Sequence, residues 1–277
     1  SVMKVVKYSG DTVDFNSNKL LKSLLKAGAN PEQAQHIIST ISAQLFDGMA
    51  TKQIYKMAFA LLKKNSNAHA ARYNLREAIR MLGPAGFYFE KYIARLFESE
   101  GYKTKTNLVL QGKCVTHEID VLIQKDSEMG MVECKFHAGR EVASDVKVPM
   151  YILSRFNDLK TKSHSFFDSK SPLTSCWIVT NNRFTADAIT FANCSGLQLL
   201  SWNYPENNCL KSKTDQNKLY PITCLTTLSL AEKEHLLQEE LLLVKDILVQ
   251  SSVLNAIGLS PNRIQNVLKE ARELCGS

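Results

Sequence analysis

Two stretches of this chain, Val115 to Ile123 and Met131 to Phe136, constrain its fold more than anything else in it. In the first, Ile119, Val121 and Ile123 alternate with Glu118 and Asp120. In the second, Val132, Cys134 and Phe136 alternate with Glu133 and Lys135. A period of two marks a β-strand, because successive side chains leave opposite faces. Each strand therefore offers an apolar side to a core and a charged side to something else. The stretch Ser127 to Gly130 is a turn signal between them. Paired as neighbours, the strands bring Asp120, Glu133 and Lys135 to one edge of a sheet.

The flanking pattern alternates helix and strand, which predicts an α/β domain. Pro84 to Gly101 reads as a helix ended by glycine, with Phe89, Ile93, Leu96 and Phe97 on one face and Glu90 on its flank. A helix at Val146 to Leu159, a strand at Cys176 to Thr180, a helix at Thr185 to Cys194 and a strand at Leu197 to Trp202 follow. Before this region, residues 1–83 open with a hairpin around Ser9-Gly10-Asp11 and continue as helices at Asn18 to Ala27, Pro31 to Leu45 and Thr51 to Lys64. Asn30 before Pro31, and Thr51, are helix starts.

The expected organisation is a mainly helical domain at 1–83, an α/β domain at 84–205, a polar linker at 206–228 and a helical segment at 229–277. The last is interrupted at Gly258-Leu259-Ser260-Pro261. Its glycine turn before a helix resembles half of a helix-hairpin-helix. The apolar residues Leu236, Leu237 and Leu241 to Val244 suit a packing hairpin or dimerisation helix equally well.

With 277 residues there is room for two domains. No apolar run reaches the roughly 18 residues that span a bilayer. The seven cysteines are odd in number and form no CxxC pair, which argues against a zinc module or a disulfide framework and for reduced thiols in the cytoplasm. The net charge of +7 favours polyanionic partners.

Carboxylates with one lysine suit phosphodiester hydrolysis. Hard carboxylate oxygens hold Mg²⁺ or Mn²⁺. The metal polarises the phosphoryl oxygen and lowers the pKa of the attacking water, and a lysine beside it offsets charge on phosphorus. The runs Gly86-Phe87-Tyr88-Phe89-Glu90-Lys91-Tyr92, His117-Glu118-Ile119-Asp120, Glu133-Cys134-Lys135 and Ile178 to Thr185 occur in one order. In this they resemble the Mrr-like branch of the PD-(D/E)XK restriction endonucleases, over roughly residues 84–203. The resemblance implies a mixed central sheet flanked by helices. It makes Asp120 and Glu133 metal ligands, Lys135 the catalytic lysine, and Glu90 the helix carboxylate that completes the metal site, with Cys134 lending only a carbonyl. Many relatives carry Gln where this chain has Glu133.

The segment from residue 4 to about 82 resembles an ATP-cone, a nucleotide-binding regulatory domain, on Val6-Lys7, Gly10, Phe15-Asn16, Lys19-Leu20, Thr51, Ile54 and Ala71-Arg72-Tyr73. The resemblance implies ATP or dATP as regulator. Lys7 and Lys19 would neutralise phosphates, and Asn16 and Thr51 would add neutral hydrogen bonds. Tyr55 replaces a frequent histidine, and Val13 a frequent acidic residue. No GxxxxGK[ST] occurs, so no P-loop motor is expected.

Lys160, Lys162, Lys170 and Arg183 flank the α/β domain and are candidate phosphate contacts, with solvated surface charge as the alternative. The expected function is a metal-dependent, restriction-type DNA endonuclease gated by a nucleotide. The alternatives are a nuclease selective for branched DNA and a nucleotide-responsive DNA-binding protein without catalysis. A double-strand cut would imply paired subunits, hence a homo-oligomer. No membrane partner is expected.

Overall fold

Asn16 ends the opening hairpin and starts a helix: its side-chain oxygen accepts from the Lys19 N–H at 3.1 Å, satisfying one of the donors a helix start leaves open. Such local signals set the order of elements in the computed structural model, which describes residues 2–276. The chain divides into two units, one built from residues up to Ala78 together with those from Tyr220 onward, the other from Ile79 to Leu219.

In the first unit, strand β1 (Lys4–Val6) pairs antiparallel with β2 (Thr12–Asp14). Helices α1 (Ser17–Lys26) and α2 (Pro31–Ser42) follow. Asn30 and Gln33 form a reciprocal capping box at the start of α2, where Pro31 loses no bond. The short strand β3 (Met49–Ala50) returns to lie parallel to β1 and feeds α3 (Thr51–Asn65), α4 (Asn67–Tyr73) and α5 (Leu75–Arg80). Thr51 is the first residue of α3, and Ala50 occupies the cap position. Val5, Leu24, Ile37, Ile41, Ala58 and Leu62 form the buried centre of this part.

The second unit opens on α6 (Phe87–Ser99), which enters through Gly86 at φ +81°. Strands β4 (Lys103–Gln111), β5 (Thr116–Lys125) and β6 (Glu128–Lys135) form an antiparallel meander. Then come β7 (Ala143–Ser144), α7 (Lys147–Leu159), the hairpin β8 (Ser163–Phe166) and β9 (Ser169–Pro172), β10 (Ser175–Thr180), β11 (Arg183–Phe184), α8 (Ala186–Ser195), β12 (Gln198–Leu200) and α9 (Leu210–Asn217). The five-stranded sheet has the order β12-β10-β6-β5-β4, with β12, β10 and β6 parallel. It is a mixed sheet flanked by helices.

The structure corrects several sequence expectations. β4 was not anticipated, because its Lys103, Thr104, Lys105 and Thr106 show no apolar alternation; it is an edge strand. The β5–β6 turn is tighter than the Ser127–Gly130 reading: only Asp126 and Ser127 separate the strands, with Asp126 at φ +53°. Gly130 lies inside β6, opposite Ile123 on one side and Ser175 on the other. A Cβ there would meet Ser175 Oγ at 2.2 Å, so the close approach of β10 requires glycine. Val121, Leu122 and Ile123 are all buried, so both faces of the sheet are covered, not one. The stretch 206–228 is not extended linker: it holds α9, a 3₁₀ turn at Ile222–Cys224, and the buried residues Leu210, Leu219, Tyr220 and Leu225. Its polar letters hid apolar residues spaced too irregularly to show a period.

From Tyr220 onward the first unit resumes with α10 (Leu230–Gln238), α11 (Val244–Val249), α12 (Ser252–Ala256) and α13 (Pro261–Cys275). The half helix-hairpin-helix reading rests on the open end of α13. There Ser260 accepts from the Arg263 N–H at 3.4 Å, and the Arg263 guanidinium is held by Glu232 and the Thr227 carbonyl. Val267, Ala271 and Leu274 are buried, and α13 packs against α4 and α11.

Asp158, near the end of α7, ties down the β4–β5 turn. Its carboxylate accepts from the Cys114 N–H at 2.8 Å and the Val115 N–H at 3.2 Å, and His117 Nε2 lies 2.7 Å away. The hydrogen bond with His117, then the backbone donors, holds the Asp158 carboxyl well below the usual range. A depressed carboxyl contributes stability above its unfolded value, and that contribution is lost as pH falls. Wild type should therefore lose more melting temperature than Asp158→Asn between about pH 4 and about pH 2. Equal losses in thermal melts at the two pH values would show that this carboxylate does not set the acid response.

Candidate active site

The hairpin register fixes the site. Val121 faces Val132, so Asp120 and Glu133 lie one step further along, next to each other. On the opposite side of β6, Ile178 faces Glu133 and Thr180 faces Lys135. The Cys134 N–H donates to Asp120 Oδ2 at 2.8 Å, which orients that carboxylate across the strand gap. Lys135 Nζ lies 3.3 Å from Glu133 Oε1. Helix α6 supplies Glu90, whose carboxyl shares a hydrogen bond with Asp120. The structure thus brings all four residues read from sequence as catalytic, Glu90, Asp120, Glu133 and Lys135, to one place. A cavity of about 230 Å³, lined by Pro84, Gly86, Glu90, Lys135 and His137 among others, opens beside them.

Electrostatics mark the cluster as unusual. Burial pushes the Glu90 carboxyl up to about 7, with the Asp120 and Glu133 charges and the hydrogen bond to Asp120 adding to it. Burial and the Glu133 charge also raise Asp120, against the opposing pull of the Cys134 N–H, Lys135 and Arg155. Carboxyls held together above their ordinary range take up either a proton or a cation. Among the described residues, no three acidic, imidazole or thiol groups already stand at metal-caging distance. The donor set still fits a hard divalent ion: three carboxylates, with the Cys134 carbonyl on the same strand.

One member was missed from sequence. Arg155 on α7 donates from Nη1 to Glu133 Oε2 at 3.0 Å and from Nη2 to the Glu118 carbonyl. Its side chain is only 11% exposed. A signal existed: Arg155 lies at helical spacing between the buried residues Ile152 and Leu159, so it falls on the inward face of α7. Glu118, which shares its strand face with Asp120, is exposed; its carbonyl accepts from Arg155 and its charge adds to the upward push on Glu90. The motif Ile178 to Thr185 acts structurally. Asn181 and His137 exchange backbone-to-amide hydrogen bonds, both 2.8 Å, and Asn182 donates to the Gly139 and Arg140 carbonyls. These bonds hold the chain leaving β6 just past Lys135.

In the first unit, Lys7, Asn16, Lys19 and Thr51 all line one cavity of about 250 Å³, with Val5, Phe15, Ile54, Tyr55 and Tyr73 as its less polar wall. The oxygen of Asn16 is already used as the cap of α1, which leaves its amide N–H groups to a ligand. Tyr55 stacks on Tyr73 at 5.1 Å between ring centroids and hydrogen-bonds Asn74. Burial raises both phenols, that of Tyr73 to about 12, so both stay neutral.

The four candidate DNA contacts are all exposed and lie on different elements. Lys160 and Lys162 follow α7, Lys170 is in β9, and Arg183 is in β11 beside β7. Lys160, Lys162 and Lys170 therefore share one continuous segment, whereas Arg183 belongs to a separate two-stranded ribbon.

Known proteins share these features. Residues 3–80 match the ATP cone domain family, residues 84–203 the restriction endonuclease family of the Mrr type, and residues 220–275 the family described as AF1548-like, C-terminal. An uncharacterized protein of Archaeoglobus fulgidus is 36% identical over 185 residues, 66% of this chain and 100% of that protein. The crystal structure of a protein of unknown function, AF1548, aligns at 34% identity with a TM-score of 0.56, covering 69% of this chain and 98% of that one. Among the described residues, no helix is long and apolar enough to cross a membrane. This chain belongs to the AF1548-like family, and in it an ATP cone domain precedes a restriction endonuclease domain of the Mrr type.

Proposed function

We propose that this protein is a metal-dependent DNA endonuclease that hydrolyses phosphodiester bonds, acts as a restriction-type enzyme in the cytoplasm, and is regulated by ATP or dATP in its N-terminal cavity. The observation that carries the reading is the convergence of Asp120, Glu133, Lys135 and Glu90 at one end of the β5–β6 hairpin. Asp120 and Glu133 would hold Mg²⁺ or Mn²⁺, with Glu90 completing the site. Bound there, the ion supplies Lewis acidity and a lowered pKa for the attacking water. Lys135 orients that water and offsets charge on the phosphorus. Arg155 fixes Glu133 in place through its 3.0 Å bond. Paired subunits would deliver a double-strand cut.

The test is cleavage of supercoiled plasmid and of a four-way junction in parallel, with and without divalent metal. Metal-dependent plasmid linearisation supports the restriction-type reading. Cleavage confined to the junction replaces it with a structure-selective nuclease. DNA binding without cleavage of either substrate removes the enzymatic reading.

The lysine segment after α7 gives a second expectation. If it lies on DNA phosphates, each neutralised phosphate releases condensed counterions, and affinity falls steeply with salt. Replacing Lys160 and Lys162 together by Ala should lower the slope of log affinity against log salt by about two. The change should be similar for unrelated DNA sequences, because phosphate contacts carry no base information. An unchanged slope would return these residues to solvated surface charge.

A further inference from the structure

A second and larger cavity in the first unit, about 680 Å³, lies between the α3–α4 junction and α13, apart from the ATP-cone cavity. Its cationic lining is Lys63, Lys64, Arg72 and Lys269. Lysines in the last turn of α3 suit the helix dipole on their own. Lys269 does not come from that helix: it shares one face of α13 with Asn266 and Glu273, three to four residues apart, turned to the same space. Lys63, Lys64 and Lys269 have no ion pair or hydrogen bond among the described residues, whereas Lys135 and Lys213 do.

The two acidic residues of the lining, Glu270 and Glu273, offset only part of the charge of its four cations. Glu270 is buried, and its carboxylate is consumed by the N–H and hydroxyl groups of Thr226 and Thr227, at 2.5 to 3.2 Å. Glu273 offers its carbonyl to Arg72 Nη2 at 2.9 Å, which points the guanidinium along the cavity wall. His69 also lines the cavity, and its Nδ1 is buried with no hydrogen-bond partner among the described residues. A buried polar atom without a partner costs stability unless something bonds it.

We infer that this cavity binds a compact oligophosphate, with Lys63, Lys64, Lys269 and Arg72 neutralising its charge and the His69 ring lining the same space. The only apolar residue in the lining is Ala68 and no Phe, Tyr or Trp is among it, so a base would find only the His69 ring and the Arg72 guanidinium to stack on. A nucleic-acid strand read by its bases does not suit such a pit, and a duplex backbone is convex. A short phosphate chain suits both the cations and the amide groups of Asn65, Asn67 and Asn266. Helix α4 sends His69 and Arg72 to this cavity and Tyr73 to the ATP-cone cavity, so occupancy of either is felt by one element.

The test uses the full chain with Lys7→Ala and Lys19→Ala, which disables phosphate contacts in the other cavity, and titrates inorganic tripolyphosphate by calorimetry. One binding site should remain. Adding Lys63→Gln and Lys269→Gln should weaken it at least about tenfold, since two charge-assisted contacts are lost. Lys63→Arg with Lys269→Arg should keep it. In the wild-type chain, the ¹⁵N resonance of His69 Nδ1 should move on tripolyphosphate addition, a readout that needs no variant to fold. The inference is overturned by unchanged affinity in the glutamine variant, by a silent His69 resonance, or by a loss of DNA affinity with tripolyphosphate binding intact.

Discussion

Asp120→Ala, Glu133→Ala and Lys135→Ala are each expected to lower DNA cleavage on the order of a thousandfold while leaving DNA affinity within a small factor of wild type. The three side chains meet across one strand gap and act as a unit, so removing any one forfeits most of what the unit does. Glu90→Ala and Arg155→Ala should cost less, about ten- to a hundredfold. Glu90 supports Asp120 from a neighbouring helix, and Arg155 positions Glu133. The two classes differ in a second readout: extra Mn²⁺ should partly restore the Arg155 variant, whose ligands are intact, and should not restore Lys135→Ala. Single-turnover cleavage across a metal titration measures both. Wild-type rates in any of the first three variants would dissolve the assignment.

The second large effect concerns the nucleotide. Lys7→Ala with Lys19→Ala should lower ATP or dATP affinity about a hundredfold, because each charged contact to a phosphate is worth more than a neutral one. The nuclease should keep its basal activity and lose its response to nucleotide. A non-hydrolysable analogue should act as ATP does, since no P-loop is present. The full chain is the right material, because residues up to Ala78 form one unit with those from Tyr220 onward: the Thr223 hydroxyl donates to the Ala78 carbonyl, and α13 lies against α4. Calorimetry showing no binding of either nucleotide at millimolar concentration would remove the regulatory role.

What could be read from the letters alone follows from which forces act locally. The β5–β6 pair and its charged residues were legible because strand alternation and charge occupy neighbouring positions. The cap at Asn30 was legible for the same reason, since a cap bonds within three residues, whereas at Thr51 the helix begins but Ala50 takes the cap position. Arg155 escaped because its meaning depends on Glu133, twenty-two residues away on another element. β4 escaped because an edge strand can be polar on both faces. The joining of the C-terminal helices to the N-terminal unit escaped entirely. It rests on α13 packing against α4, and on single contacts across long separations with no local pattern, such as the Arg72 bond to the Glu273 carbonyl and the Thr223 bond to Ala78.

The most direct measurement is cleavage of supercoiled plasmid by the purified full chain, in chelator, then with Mg²⁺ or Mn²⁺ added back, alongside Asp120→Ala. The expected result is no cleavage in chelator, cleavage restored by the divalent ion, and none from the variant under either condition. Cleavage that persists in chelator, or that the Asp120→Ala protein matches, would contradict a metal-dependent site built on Asp120, Glu133 and Lys135.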